Sequence, residues 1–362
     1  MSLESLGWGP ELAQQFSRIV ESSPLPLVPG RVVRQERGLL TVQTAERLLL
    51  ARTAGRLLHH APGTESLPTV GDWVALLMPP GQGDGMLHAV LPRRSLLMRR
   101  AVGRERAGQL IAANLDVVLL VAGLDGNFNP RRIERALAMA WSSGASPAVL
   151  LSKADLLEDA LSAVHEVESL APGVPVLALS SWTGEGLQAV QALLPPGKTG
   201  ALLGSSGVGK STLVNRLLGE ARLATQEVRP EDDKGRHTTT NRELFLLPHG
   251  GLLIDGPGMR ELGLLGDEEE GVEQTFNDIL ELAEGCRFSD CVHQSEPGCA
   301  VRAAVQSGTL PPERLASYEK LRREQAYHAR QSSASAQQEH RRFERGRTLM
   351  GWDAVRAKRR RD

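Results

Sequence analysis

Nine consecutive residues carry the most chemistry: Gly204, Ser205, Ser206, Gly207, Val208, Gly209, Lys210 and Ser211 match the spacing GxxxxGK[ST], and Thr212 follows them. Glycines at these places let the backbone curl so that its N–H groups face a polyphosphate. The lysine reaches the β- and γ-phosphates, and the Ser211 hydroxyl can ligate Mg²⁺. The run follows the apolar stretch KTGALL and opens a helical stretch, the strand-to-helix setting this chemistry requires. Further on, Asp255-Gly256-Pro257-Gly258 closes the apolar run GLLI. A carboxylate at a strand end, followed at Gly258 by an N–H that can meet a γ-phosphate, suits an element that senses Mg²⁺–triphosphate. Between the two lies Gly235-Arg236-His237-Thr238-Thr239-Thr240, in a stretch dense in charge and short of apolar anchors. That composition predicts a mobile switch loop in which Thr239 closes on Mg²⁺.

A base reader is then needed. Ser152-Lys153-Ala154-Asp155 follows the apolar run AVLL. The Asp155 carboxylate can accept from both N1–H and the 2-amino group of guanine, a pair adenine does not offer, while the stem of Lys153 can cover the base. A second run, VLALS, ends in Ser180-Ser181-Trp182-Thr183-Gly184, a loop suited to giving a backbone N–H to guanine O6. The order is therefore base reader, base reader, phosphate loop, switch I, switch II, a circular permutation of the usual GTPase order. A further cluster holds every cysteine of the chain: Cys286, Cys291, His293 and Cys299. Three thiolates and one imidazole make the closed four-coordinate set of a structural Zn²⁺, with no open position for catalysis.

The elements that must position these groups fall into three zones. From Arg31 to Arg94 short β-type runs broken by Gly, Pro and Asp turns predict a five-stranded OB-type β-barrel. After a connector bearing Arg99, Arg100, Arg104 and Arg106, apolar runs alternate with helical stretches. The runs are Asp116–Ala122, Ala148–Leu151, Val174–Leu179, Gly200–Leu203, Leu244–Leu247 and Leu252–Ile254, with helices over Pro130–Trp141 and Lys210–Leu218. This alternation predicts an α/β domain with a mostly parallel sheet. From about Gly271 the chain reads as helices around the cysteine cluster. The expected domains are an N-terminal extension (1–30), the barrel (31–95), a connector (96–111), a circularly permuted α/β P-loop GTPase domain (112–270) and a helical zinc-binding domain with a basic tail (271–362).

Composition narrows the partners. The 362 residues carry a formal net charge of −1, with 41% hydrophobic and 23% charged residues, which excludes wholesale disorder and collagen-like repetition. The charge is segregated: −2 over residues 1–30, +6 over 31–111, −12 over 112–312 and +7 over 313–362. Two basic ends around an acidic middle point to a polyanionic partner. The longest apolar stretch, Val117 to Ala122, is far short of the ~20 residues of a spanning helix. No membrane partner, no secretory leader and a cytoplasmic location are expected, and a reducing compartment favours a metal over disulfides for the cysteines.

At these residues the sequence resembles the RsgA (YjeQ/YloQ) family, circularly permuted GTPases dependent on the small ribosomal subunit. The resemblance covers almost the whole chain, through the VGDWV element of the barrel, the permuted motifs, GRHTTT and the cysteine–histidine spacing. It implies a late assembly factor that binds the immature 30S subunit through 16S rRNA, helps mature the decoding region and leaves on GTP hydrolysis to GDP, here as a monomer. Two positions depart from the family pattern. Ser152 replaces the commoner Asn, an exchange that can loosen guanine binding, and Gly256 replaces the usual Thr or Ser. Ras-like enzymes orient water with a Gln just after this motif. Here Met259 stands there, whose thioether cannot do so. Slow hydrolysis by the free protein is expected, with His237 as the candidate catalytic group once the ribosome orders its loop. Two rivals stay open: a nucleotide-switched RNA-binding module with negligible turnover, and an ATP-dependent kinase, against which Asp155 argues.

Overall fold

Period-2 alternation builds five short strands at the N-terminal end of the chain: β1 (Leu27–Glu36), β2 (Leu39–Thr44), β3 (Leu48–Thr53), β4 (Trp73–Leu77) and β5 (Gly85–Val90). The structure is a computed structural model that describes residues 2–36, 39–55, 57, 64–78, 83–100, 108–126, 128–223, 241–256, 259 and 269–327. The strands run in the order β1-β2-β3-β5-β4, and β4 pairs back onto β1 to close an OB-type barrel in which only the β3–β5 pairing is parallel. A register shift between Val32 and Arg34 bends β1 so that it serves both neighbours. Val32, Val42, Val74, Leu76 and Leu87 fill the interior. Strand β1 begins before residue 31 because Leu27 to Arg31 pair along β4. Ahead of it, α1 (Pro10–Glu21) starts on a proline, and Trp8 bridges it to the barrel between Phe16 and Trp73.

The stretch read as a connector is instead a hairpin of β6 (Leu96–Arg100) and β7 (Gly108–Ala113). Its arginines suggest a solvated linker, yet Leu97, Ile111, Ala112 and Ala113 are wholly buried. Residues 104 and 106 lie outside the described residues.

Five further strands are parallel, in the order β10-β9-β8-β11-β13: β8 (Val117–Gly123), β9 (Ser146–Ser152), β10 (Val176–Ala178), β11 (Thr199–Leu203) and β13 (Leu252–Asp255). They are near-continuous runs of Val, Leu and Ala, as a sheet covered on both faces demands. Helices α2 (Pro130–Ser142), α3 (Ala160–Leu170), α4 (Leu187–Ala192) and α5 (Lys210–Leu218) intervene. Strand β12 (Arg242–Leu246) lies antiparallel on β13 and pairs on its other side with β1, matching Arg34 to Glu243 and Gln35 to Arg242. The barrel and the parallel sheet are thereby one eleven-stranded sheet.

Arg31 sits at that seam, 1% exposed. Its guanidinium donates to the Leu6 and Gly71 carbonyls and to Thr199 Oγ1 (3.0 Å), and lies 5.2 Å from the Trp73 ring centre. Burial lowers its pKa to about 10. Thr199 opens β11, so one buried cation joins the N-terminal segment, the barrel and the strand that feeds the phosphate loop.

The C-terminal part is helical: α6 (Glu269–Thr275), α7 (Asn277–Ala283), α8 (Ala300–Gln306) and α9 (residues 312–327). Its core, with Val272, Phe276, Ile279, Val301 and Tyr318, closes on Ala138 and Met139 of α2. The buried Glu134 of α2 accepts from Arg314 of α9 (2.8 Å), which also pairs with Asp278 (2.8 Å) and lies 4.4 Å from the Phe276 ring centre. Among the described residues no helix is long and apolar enough to cross a membrane.

Candidate nucleotide site and metal centre

Strand β11 ends at Leu203 and α5 begins at Lys210, so residues 204–209 turn at the carboxyl edge of the parallel sheet. That edge is where open α/β sheets bind ligands. A Cβ on Gly204 would stand 2.3 Å from the Val121 carbonyl oxygen, so only glycine lets the loop leave β11 this close to β8. Lys210 is 8% exposed, and its Nζ donates to the carbonyls of Gly204 and Ser205 (2.6 Å to the latter). The Ser211 hydroxyl has no hydrogen-bond partner among the described residues. A buried ammonium, a helix N-terminus and a vacant hydroxyl together suit a polyphosphate with Mg²⁺.

The base-reading candidates stand at the ends of the adjacent strands β9 and β10. Ser152, closing β9, donates its hydroxyl to Val208 O of the phosphate loop (2.6 Å), with Ala122 O at 3.2 Å. The exchange of Asn for Ser therefore keeps a tether between the two loops. Lys153 takes a left-handed conformation (φ 61) and pairs its Nζ with Asp125 (2.6 Å). The turn brings Ala154 N–H onto Leu179 O at 3.1 Å and leaves the Asp155 side chain exposed, without a partner among the described residues. On the neighbouring loop, Ser180 Oγ accepts from Trp182 N (3.2 Å) and Thr183 N (3.1 Å). Arg216 of α5 donates to the carbonyls of Ser181 and Trp182, each at 2.6 Å. Neither the Ser181 N–H nor its buried hydroxyl has a partner among the described residues. An unpaired carboxylate and an unpaired N–H on adjacent strand ends can meet a donor pair and an acceptor, the pattern of guanine's edge.

Asp255 ends β13, half-buried. A Cβ on Gly256 would stand 2.7 Å from Arg242 Cα, so the close approach of β12 accounts for glycine there. Met259 is fully buried and its carbonyl accepts from Gly204 N–H (3.1 Å), which places its thioether in the core. His237, Thr239 and Gly258 lie outside the described residues, as does the basic tail.

The four metal-ligand candidates converge, their ligand atoms all within 4.8 Å of one another. Nδ1 of His293 lies 3.7 Å from Cys286 Sγ and 3.5 Å from Cys299 Sγ, and those sulfurs are 3.9 Å apart. Tetrahedral Zn²⁺ with Zn–S of about 2.3 Å and Zn–N of about 2.0–2.1 Å requires S···N of roughly 3.6 Å and S···S of roughly 3.8 Å. The residues fit the ion. Burial alone would raise the Cys286 thiol, but hydrogen bonds from the Val301 and Ala300 N–H groups and from the Cys291 and Cys299 thiols together outweigh it and lower the pKa, favouring the thiolate. Cys299 also caps α8, accepting from Arg302 N at 3.4 Å.

The sequence reading misses Asp125, Arg216 and Trp182. Asp125 had a signal, a carboxylate just beyond a strand end. Arg216 had none, since a helix-terminal arginine ordinarily faces solvent. Trp182, 81% exposed on the base-side loop, stood inside the quoted motif without a role.

The chain is similar to known proteins in sequence and in fold. Residues 90–265 match the family model for the RsgA GTPase. The chain is 50% identical over 338 residues to the small ribosomal subunit biogenesis GTPase RsgA of Opitutus terrae, covering 91% of each chain. It is 46% identical over 361 residues to the protein of that name from Streptomyces coelicolor, covering 99% of this chain and 96% of the other. Among solved structures it is similar to YjeQ from Thermotoga maritima, with a TM-score of 0.61 and 28% identity over 83% of this chain and 99% of that one. The fold is shared with YloQ, a circularly permuted GTPase, with a TM-score of 0.58 and 23% identity over 83% of this chain and 95% of the other.

Proposed function

Because the chain belongs to the RsgA family of circularly permuted GTPases, we propose that it hydrolyses GTP as a biogenesis factor of the small ribosomal subunit and leaves that particle when GTP becomes GDP. The observation that carries this reading is the convergence of Ser152–Asp155, Ser180–Ser181 and Gly204–Thr212 on one sheet edge, tied by the Ser152–Val208 and Arg216–Ser181 hydrogen bonds. Asp155 reads N1–H and the 2-amino group of guanine, the Ser181 N–H meets O6, and the stem of Lys153 covers the base. The N–H groups of residues 204–212 hold the phosphates with Lys210. Ser211 and Asp255, joined by Thr239 of the switch loop, hold Mg²⁺, and Gly258 meets the γ-phosphate. When bound, Mg²⁺ screens the charge of the β- and γ-phosphates. One structural Zn²⁺ sits on Cys286, Cys291, His293 and Cys299.

The partner is the 30S subunit, met through 16S rRNA by the basic ends of a monomer working in the cytoplasm. His237 positions the attacking water once the subunit orders the switch loop. Multiple-turnover GTPase assays with and without 30S particles test the reading, together with co-sedimentation in GDP against a non-hydrolysable GTP analogue. Stimulation of more than about tenfold, a barrier change of at least ~1.4 kcal/mol, is expected. Turnover indifferent to 30S, with pelleting that ignores the nucleotide, would instead favour a binding module that nucleotide merely orders.

A further inference from the structure

Met259 buries its side chain in the core, so the position after the DxxG motif sends no polar group toward the phosphates. Arg132 of α2 borders the phosphate loop. We propose that Arg132 acts in cis on the terminal phosphate of GTP, stabilising the charge that develops as the β–γ bond breaks. The proposal rests on the GTPase reading and adds to it a catalytic residue from α2.

Helix α2 starts rigidly at the carboxyl edge of the sheet: Asn129 Oδ1 accepts from Arg131 N (3.0 Å) and Pro130 occupies the first turn. Its three arginines differ. Arg131 is held by the buried Glu134 at 3.1 Å, and Arg135 by Glu324 at 2.7 Å. The exposed Arg132 guanidinium has no hydrogen-bond or ion-pair partner among the described residues. Arg132 lines a cleft together with Asn129 and Ile133 and with Gly204, Ser205 and Val208 of the phosphate loop, and among the described residues no other charged residue lines that cleft. At about 30 Å³ the cleft holds a water-sized group, which makes it a margin of the nucleotide site and not a second ligand pocket. The same loop residues mark its place along the nucleotide. Lys210, the side chain that reaches the β- and γ-phosphates, rests on the carbonyls of Gly204 and Ser205, so the cleft opens at the γ end.

The step is hydrolysis. Water oxygen bonds to the γ-phosphorus and the bond to the β–γ bridging oxygen breaks. Its electron pair stays on GDP, and the water's proton passes to the departing phosphate. Negative charge grows on the bridging and γ oxygens, so a cation at the γ end stabilises the transition state more than bound GTP, and much more than GDP.

The test compares full-length parent, Arg132→Ala and Arg132→Lys in single-turnover GTP hydrolysis, with GDP affinity, affinity for GDP with aluminium fluoride, and thermal melting measured on each. Arg132→Ala should slow hydrolysis at least about tenfold. Its GDP affinity should stay within about twofold and its melting temperature should not move, because the guanidinium has no hydrogen-bond or ion-pair partner among the described residues. Aluminium fluoride should no longer tighten GDP binding, and Arg132→Lys should recover part of the rate. An unchanged rate in Arg132→Ala overturns the proposal, as does a loss of rate and GDP affinity in parallel, which marks a structural role. A parent that hydrolyses no GTP defeats the GTPase reading itself, whatever the variants do.

Discussion

Replacing Ser152 by alanine removes one hydroxyl, and its effect can be worked out from the structure. Ser152 is 2% exposed and Val208 4% exposed, so the bond between them is shielded from water. The hydroxyl has one proton and two carbonyls in reach, and it serves the nearer, Val208 O at 2.6 Å over Ala122 O at 3.2 Å. Ser152→Ala leaves a buried carbonyl of the phosphate loop without that donor, a loss of about 1–3 kcal/mol. If the nucleotide-bound geometry carries the loss, GDP dissociation constants rise about 5- to 150-fold. If the free protein already carries it, the melting temperature falls instead, by about 2–4 °C per kcal/mol for a domain of this size. Calorimetric titration with GDP and Mg²⁺, paired with melting of the nucleotide-free protein, reads both terms. Ser152→Asn supplies an amide donor to the same carbonyl and should restore most of the loss. A Ser152→Ala protein with parental GDP affinity and parental melting would show that the tether does nothing.

Other perturbations follow the same logic. Asp155→Asn should weaken GTP and favour xanthosine triphosphate, whose 2-position is an acceptor; competition binding against both nucleotides checks it, and unchanged GTP affinity removes Asp155 from base reading. One zinc per chain should be found by elemental analysis. Cys291→Ser should loosen mainly the segment after Gly271, read by hydrogen exchange, because small metal-closed segments draw much of their folding free energy from the ion. Arg314→Met leaves the buried Glu134 carboxylate with Arg131 as its remaining cation and should cost about 1–3 kcal/mol in denaturant unfolding, whereas pairing it with Glu134→Leu should recover part of that.

Much of the site is legible in the sequence because its parts are local. The phosphate loop (Gly204–Thr212), the proposed base-reading turn (Ser152–Asp155) and the candidate zinc cluster (Cys286–Cys299) are each short runs of consecutive residues, and their chemistry depends on backbone N–H groups and side chains that the chain itself holds close. Residue types and spacing therefore settle the order of the motifs and their places at strand ends. The barrel and the parallel sheet are legible for a similar reason, since alternation and apolar runs report which faces are covered.

What the tertiary structure alone decided is which distant groups meet. Nothing near Arg34 or Glu243 announces that β1 and β12 pair and fuse the barrel to the GTPase sheet. Arg31, Glu134 and Arg314 are charged, and charge ordinarily implies solvent; each is buried only because partners from other elements satisfy it. The Ser152–Val208 tether spans 56 positions and the Arg314–Glu134 pair 180. Hydrogen-bonding capacity is a property of a residue, but satisfaction is a property of its surroundings, and those exist only once the chain has closed on itself.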